Sequence, residues 1–163
     1  GAETFDELTV PDDPRIILSY HFYEPFMFTH YKTSWNFMKD YEGDVRYPGV
    51  ILTREQWDAQ PEHLKGHFEK FVDKPFDKQV LAEWMEKPLR RAKEMGLPLY
   101  CGEFGVYSAA QEPDRTRWYQ DMLEIFDEHG VSWANWNYKS DQFGFVGMDG
   151  ERIETVERAI LGN

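Results

Sequence analysis

The chain is short of cations, of cysteine and of long apolar runs. Thirty Asp and Glu stand against 18 Lys and Arg, a formal net charge of −12 over 163 residues. Nucleic acid and anionic membranes both recruit basic patches, so this balance argues against either as a partner and fits a neutral one. No apolar run reaches membrane-spanning length. The first residues do not read as a signal peptide, and the opening Gly1-Ala2 reads as a cloning junction or a cut point. The one cysteine, Cys101, excludes an internal disulfide and leaves an extracellular or a cytosolic home open. Its strand-like flanks mark it as a buried structural thiol rather than a nucleophile. There is no Gly-rich phosphate loop, no Ser-His-Asp order and no Cys/His metal spacing. Internal repeats and low-complexity segments are absent too. His63 and His67 stand four apart, but Pro61 and Gly66 flank them and no third ligand is evident, so solvent-exposed polar residues are expected. Asp40, Glu42 and Asp44 read as a solvated loop face rather than a Ca²⁺ site. Neither a metal nor a cofactor is implied.

Aromatic residues are what the chain has in excess, at 17%. About half of them are expected in the core, and the remainder exceed what a small core needs. Polyhydroxylated ligands such as sugars are often bound on such faces. At this length one domain can bury a core without staples.

Along the chain, strands alternate with helices. Residues 4–8 suggest a helical turn, broken by Pro11-Asp12-Asp13-Pro14. Residues 16–23 are a dense β-former run without clean alternation, as expected of a strand covered on both faces. A long aromatic and polar connection, 24–75, holds Trp35, Trp57 and the turn Tyr47-Pro48-Gly49, with at most short helices, one near 53–60. A connection of that length inside a compact domain is usually functional or disordered. Residues 77–95 carry Leu81, Trp84, Met85, Leu89, Ala92 and Met95 at helical spacing, with Pro88 as a kink and Gly96 as the stop. A second strand spans 98–103. Pro113 or Asp114 opens a helix with Trp118, Met122, Ile125, Phe126 and His129 on its buried face, closed by Gly130. A third strand spans 131–136, and Ile153, Val156 and Ile160 stripe a last helix. Strand–helix alternation predicts right-handed crossovers and an α/β fold with a parallel sheet. Three such units leave two bare edges, unusual for an independent domain.

The strand ends carry the chemistry. Glu103 closes a short apolar strand between Gly102 and Gly105, where the glycines let backbone or ligand come close. In α/β architectures that end of a strand is where catalytic groups sit, which makes Glu103 the first candidate. The first strand ends on His21 and Tyr23, and the third on Trp136 with Asn137, Tyr138 and Lys139. A lone His or Trp on a strand is usually packing. Acid, imidazole, phenol and indole at one rim together suggest a substrate site.

The segments 20–30, 98–105, 132–139 and 143–145, which contain these residues, resemble glycoside hydrolase family 5, the endoglucanase and mannanase family of retaining (β/α)₈ glycosidases. The resemblance implies that the chain, 1–163, is a single partial catalytic domain. It would supply the sixth, seventh and eighth strands of a TIM barrel, and 24–75 would be the sixth-strand loop. It implies Glu103 as nucleophile and Tyr23 as the group that hydrogen-bonds and positions it. His21 would sit among the sugar hydroxyl and acid/base contacts. Trp136 would be the platform under the sugar, and Trp35 and His30 the aglycone side. Lys139 would join the substrate-binding set. A retaining glycosidase needs two carboxylates roughly 5 Å apart. The family's second Glu lies in an Asn-Glu-Pro motif on the fourth strand, and no Asn-Glu-Pro occurs here; Glu24-Pro25 follows Tyr23 and belongs to the sixth-strand motif. The implied partners are a β-glycan and either a missing N-terminal half or a second copy of the chain. The implied location is secreted, as the family mostly is. A non-catalytic sugar-binding module stands as the alternative.

Overall fold

In a computed structural model, residues 1–162 are described. The elements in chain order are β1 (Leu18–Phe22), α1 (Phe26–Thr29), β2 (Gly49–Val50), α2 (Arg54–Asp58), α3 (Glu62–Phe68), β3 (Pro75–Phe76), α4 (Lys78–Trp84), α5 (Glu86–Met95), β4 (Leu99–Phe104), α6 (Glu112–His129), β5 (Ser132–Asn135) and α7 (Glu154–Leu161). Short 3-10 turns lie at Phe5–Glu7, Phe37–Asp40 and Glu69–Phe71.

Three strands form one parallel sheet in the order β1-β4-β5, which is also their order along the chain. Local signals set the helices that connect them. Asp77 accepts from the Val80 amide at 3.0 Å and starts α4. Gly96 and Gly130, at φ +64° and +65°, take the left-handed conformation that ends α5 and α6. The helix expected over 77–95 is two helices broken at Met85, three residues before Pro88. The proline has no N–H to offer the Trp84 carbonyl one turn back, which is why the ladder parts there.

Leu18, Tyr20 and Phe22 on β1, and Cys101 and Phe104 on β4, are buried against the helices. On α6, Trp118, Tyr119, Met122, Ile125 and Phe126 receive them, with Val156 and Ile160 of α7 closing the core. His129 does not share that face: it is the exposed last residue of α6, beyond the point where the helix still covers the sheet.

The other side of the sheet is open. The expectation that the first strand is covered on both faces fails, because burial alternates strictly along β1 and Ile17 is 62% exposed. Ser19, His21 and Tyr100 look toward this uncovered side. Helices lie against one face only, and nothing among the described residues occupies the other.

The 24–75 connection is ordered and carries its own packing. Met27, Phe28, Met38, Tyr41, Tyr47, Leu52, Leu64, Phe68 and Phe71 are buried in it, and β2 and β3 pair antiparallel at its end. Two carboxylates of α6 tie it down. Asp114 accepts from Arg46 Nε at 2.6 Å and from the Tyr47 amide at 3.1 Å, while Asp121 accepts from the Tyr47 hydroxyl at 2.7 Å. Asp40, Glu42 and Asp44 are exposed on this connection, as are His63 and His67 on α3, where His67 stacks on Phe37 at 4.2 Å. No described helix is long and apolar enough to cross a membrane.

Candidate active site

The rim at the C-terminal ends of the strands gathers the predicted residues through one irregularity. Tyr20 pairs with Cys101 but His21 pairs with Glu103, so Gly102 is an extra residue on β4. Such a bulge turns the following side chain. Phe104 consequently falls three positions after Cys101 on the helix side, and Glu103 stands beside His21 rather than beneath it.

Glu103 Oε2 accepts from the Tyr23 hydroxyl at 3.1 Å and lies 3.4 Å from His21 Nδ1. Its side chain keeps 31% exposure and His21 keeps 53%, so the pair remains open to an incoming molecule. Burial, and next the Glu103 charge, push the Tyr23 phenol well above its ordinary value. Tyr23 therefore stays a hydrogen-bond donor throughout the physiological range.

Tyr23 is held in turn. The Thr29 hydroxyl donates to its carbonyl at 2.5 Å, and His30 meets its ring edge-on at 5.1 Å. His30 is stacked on Phe26 at 4.0 Å and edge-on to Phe143 at 5.4 Å, and burial pushes its imidazole down to about 4. Phe143 also touches the rings of Tyr23, Trp35 and Tyr107, with centroids 6.0, 6.3 and 5.6 Å away. Trp35 stands edge-on to Tyr107 at 5.4 Å and remains 52% exposed.

Trp136 follows the end of β5 rather than lying within it, and is 46% exposed. Its amide donates to the Phe104 carbonyl at 2.9 Å. A Cβ on Gly105 would fall 2.2 Å from the Trp136 carbonyl oxygen, so only glycine lets the two strand ends meet here. Lys139 is exposed in the bridge to Val146 and makes no ion pair among the described residues. Cys101 is buried behind Glu103, where burial pushes its thiol up to about 12, as a structural thiol requires.

Sequence reasoning singled out Glu103, Tyr23, His21, His30, Trp35 and Trp136, and the structure gathers them on one rim or in the aromatic cluster bordering it. It gave no role to Thr29 or Tyr107: one works through a backbone carbonyl, the other through a ring edge. Thr29 and Phe143 were visible only as parts of motifs.

Residues 1–142 match the model of the cellulase family, glycosyl hydrolase family 5. Endoglucanase C of Acetivibrio thermocellus is 30% identical over 144 residues, covering 85% of this chain and 40% of that protein. Among solved structures, a hyperthermophilic endo-β-1,4-glucanase is similar at TM-score 0.66 and 26% identity, over 99% of this chain and 44% of the other. Cel5A of Thermotoga maritima, solved with mannotriose, is similar in fold at TM-score 0.67 and 23% identity, over 96% and 43%. The chain thus spans less than half the length of these relatives, and its three-stranded sheet is the C-terminal part of a (β/α)₈ barrel. The chain belongs to glycoside hydrolase family 5, the cellulases.

Proposed function

We propose that the protein carrying this chain hydrolyses β-linked glucan with retention, and that Glu103 is its nucleophile. The observation that supports this most is the carboxylate itself, half-open at the rim between the Tyr23 hydroxyl and His21 Nδ1 at 3.1 and 3.4 Å. In this reading Glu103 attacks the anomeric carbon and the bond to the leaving oxygen breaks as a second carboxylic acid protonates it. Water, deprotonated by that same group, then releases the sugar from Glu103. The exposed Trp136 ring is the platform for the sugar, with Trp35 and His30 toward the leaving group.

The acid/base carboxylate lies outside this chain, in the part of the barrel that would cover the open sheet face and stand roughly 5 Å from Glu103. Residues 1–163 are then one partial catalytic domain. General acid catalysis contributes a factor of about 10² to 10⁴, so the chain alone should have little or no activity. The relatives' names favour glucan, and a secreted location fits a polymeric substrate.

The test is labelling by a 2-deoxy-2-fluoro cellobioside on the intact polypeptide. The label should map to Glu103, and Glu103→Gln should abolish both labelling and turnover. Full hydrolysis by Glu103→Gln would refute the assignment. The open sheet face favours a second reading, a sugar-binding subunit completed by another chain. Equal oligosaccharide binding by wild type and Glu103→Gln, without turnover under any condition, would support it.

A further inference from the structure

Near the start of α6, Arg115 is a buried cation without a counter-charge. It is 2% exposed and makes no ion pair among the described residues. Burial pushes its guanidinium below its ordinary value, against the weaker pull of Tyr119 and Glu112, yet arginine keeps its proton in proteins. A charge held out of water is costly unless polar atoms compensate it. Here two backbone carbonyls do so. Arg115 Nη2 donates to the Val106 oxygen at 3.4 Å and to the Gly144 oxygen at 3.5 Å, while its Nε is buried with no acceptor.

Those carbonyls belong to different segments. Val106 lies on the chain leaving β4 and Gly144 on the chain leaving β5, and each adjoins one ring of the aromatic cluster, Tyr107 and Phe143. Both residues are buried, and no other described donor reaches either carbonyl. The segments meet again at Ser108, whose amide donates to the Gln142 carbonyl at 2.6 Å and whose hydroxyl donates to that of Asp141 at 2.7 Å. Ser108 is exposed, so water can replace those bonds; at Arg115 it cannot. Without the guanidinium two dry acceptors are orphaned, and they regain partners only if the segments part to admit water. The Tyr107–Phe143 contact would open with them, and both rings bear on Trp35.

We propose that Arg115 is a positioning residue: its guanidinium clamps the segments after β4 and β5 together and holds Tyr107, Phe143 and Trp35 as one wall on the leaving-group side of Glu103. The clamp stands on the geometry; its effect on turnover rests on the glycan reading above. Such a wall serves only a substrate whose leaving group touches it. A dinitrophenyl group departs without contacts or protonation to help it, and a glucan chain does not.

The test uses the intact polypeptide and begins with wild type. Its ¹⁵N spectra should resolve separate Arg115 Nη signals, because a guanidinium held at two carbonyls stops rotating. One averaged, freely exchanging Nη signal would overturn the clamp. Arg115→Met, close in volume and uncharged, should move the Trp35 signal of fluorotryptophan-labelled protein in ¹⁹F spectra, assigned with Trp35→Phe. Its kcat/KM on cellotetraose should fall roughly 10- to 100-fold, while that on dinitrophenyl cellobioside changes less than about 3-fold. Arg115→Lys has a point donor that cannot span both carbonyls and should lose cellotetraose turnover likewise. Full activity in Arg115→Lys, an unmoved Trp35 signal, or equal losses on both substrates, as partial unfolding gives, would overturn the positioning role. A variant that does not fold leaves the wild-type Nη signals to decide the clamp. No hydrolysis of either substrate by wild type, together with no labelling of Glu103, would refute the glycan reading, while the Nη and ¹⁹F signals still decide the clamp.

Discussion

Tyr23 sits where two demands meet: its hydroxyl holds Glu103, and its backbone is held by Thr29. Replacing it with Phe keeps the ring contacts to His30 and Phe143 and removes only the donor. A hydrogen bond to a charged group contributes about 1.5–3 kcal/mol, so kcat of the intact enzyme on a cello-oligosaccharide should fall roughly 10- to 100-fold with KM little changed. An unchanged kcat would show that the contact has no part in turnover. At this scale the sequence was most readable where a side chain had few structural reasons to be there. A carboxylate between glycines on an apolar strand stands out, and so does an exposed indole. Thr29 does not, since threonine is unremarkable anywhere, and its importance comes from which carbonyl folding places above it. Lys139 is the weakest of these readings, since its one described tie is the backbone bridge to Val146, three residues beyond Trp136.

Among the elements, the contact between the ends of β4 and β5 is the tightest constraint on the rim. Gly105→Ala would press a methyl into the Trp136 carbonyl, 2.2 Å from where its Cβ must sit. Forced overpacking of this kind costs about 1–3 kcal/mol, read as a lower thermal midpoint. It should also redshift the Trp136 emission, measured in a variant whose other exposed tryptophans are Phe. The 24–75 connection supplies a second case. Asp114→Asn keeps the shape but weakens the anchors to Arg46 and the Tyr47 amide, and should lower stability in urea by about 2–3 kcal/mol. Strand and helix positions were legible from periodicity, except where a rule of covalent geometry intervened, as Pro88 does by dividing one predicted helix in two. The packing of the long connection was not legible, because its anchors are polar pairs 67 and 74 residues apart in sequence.

For the whole molecule, buried phenols and a buried thiol set the response to alkali. Tyr20, Tyr47 and Tyr119 are all pushed up by burial, as is Cys101. A group whose folded pKa lies above its unfolded value keeps its proton in the native state while the unfolded chain loses it. Stability from these groups is therefore intact below about pH 8.5–10, where free thiols and phenols titrate, and falls as pH rises beyond it. His30 works at the other end: lowered to about 4, it favours folding above pH 6.5 and loses that contribution as pH falls toward 4. Thermal midpoints measured from pH 4 to pH 11 should thus trace a plateau around neutrality with losses on both sides. An undiminished midpoint at pH 11 would show that these residues are not held dry.

Cys101 offers a use that its chemistry alone would not suggest. Its Sγ sits fully buried directly behind Glu103, donating to that residue's carbonyl at 3.3 Å, and it is the one thiol in the chain. A disulfide reagent can reach it only when β4 parts from its neighbours, so its modification rate is a clock for local opening beneath the rim. A tight-binding oligosaccharide that braces Glu103 should slow that clock, reporting occupancy without any need for turnover.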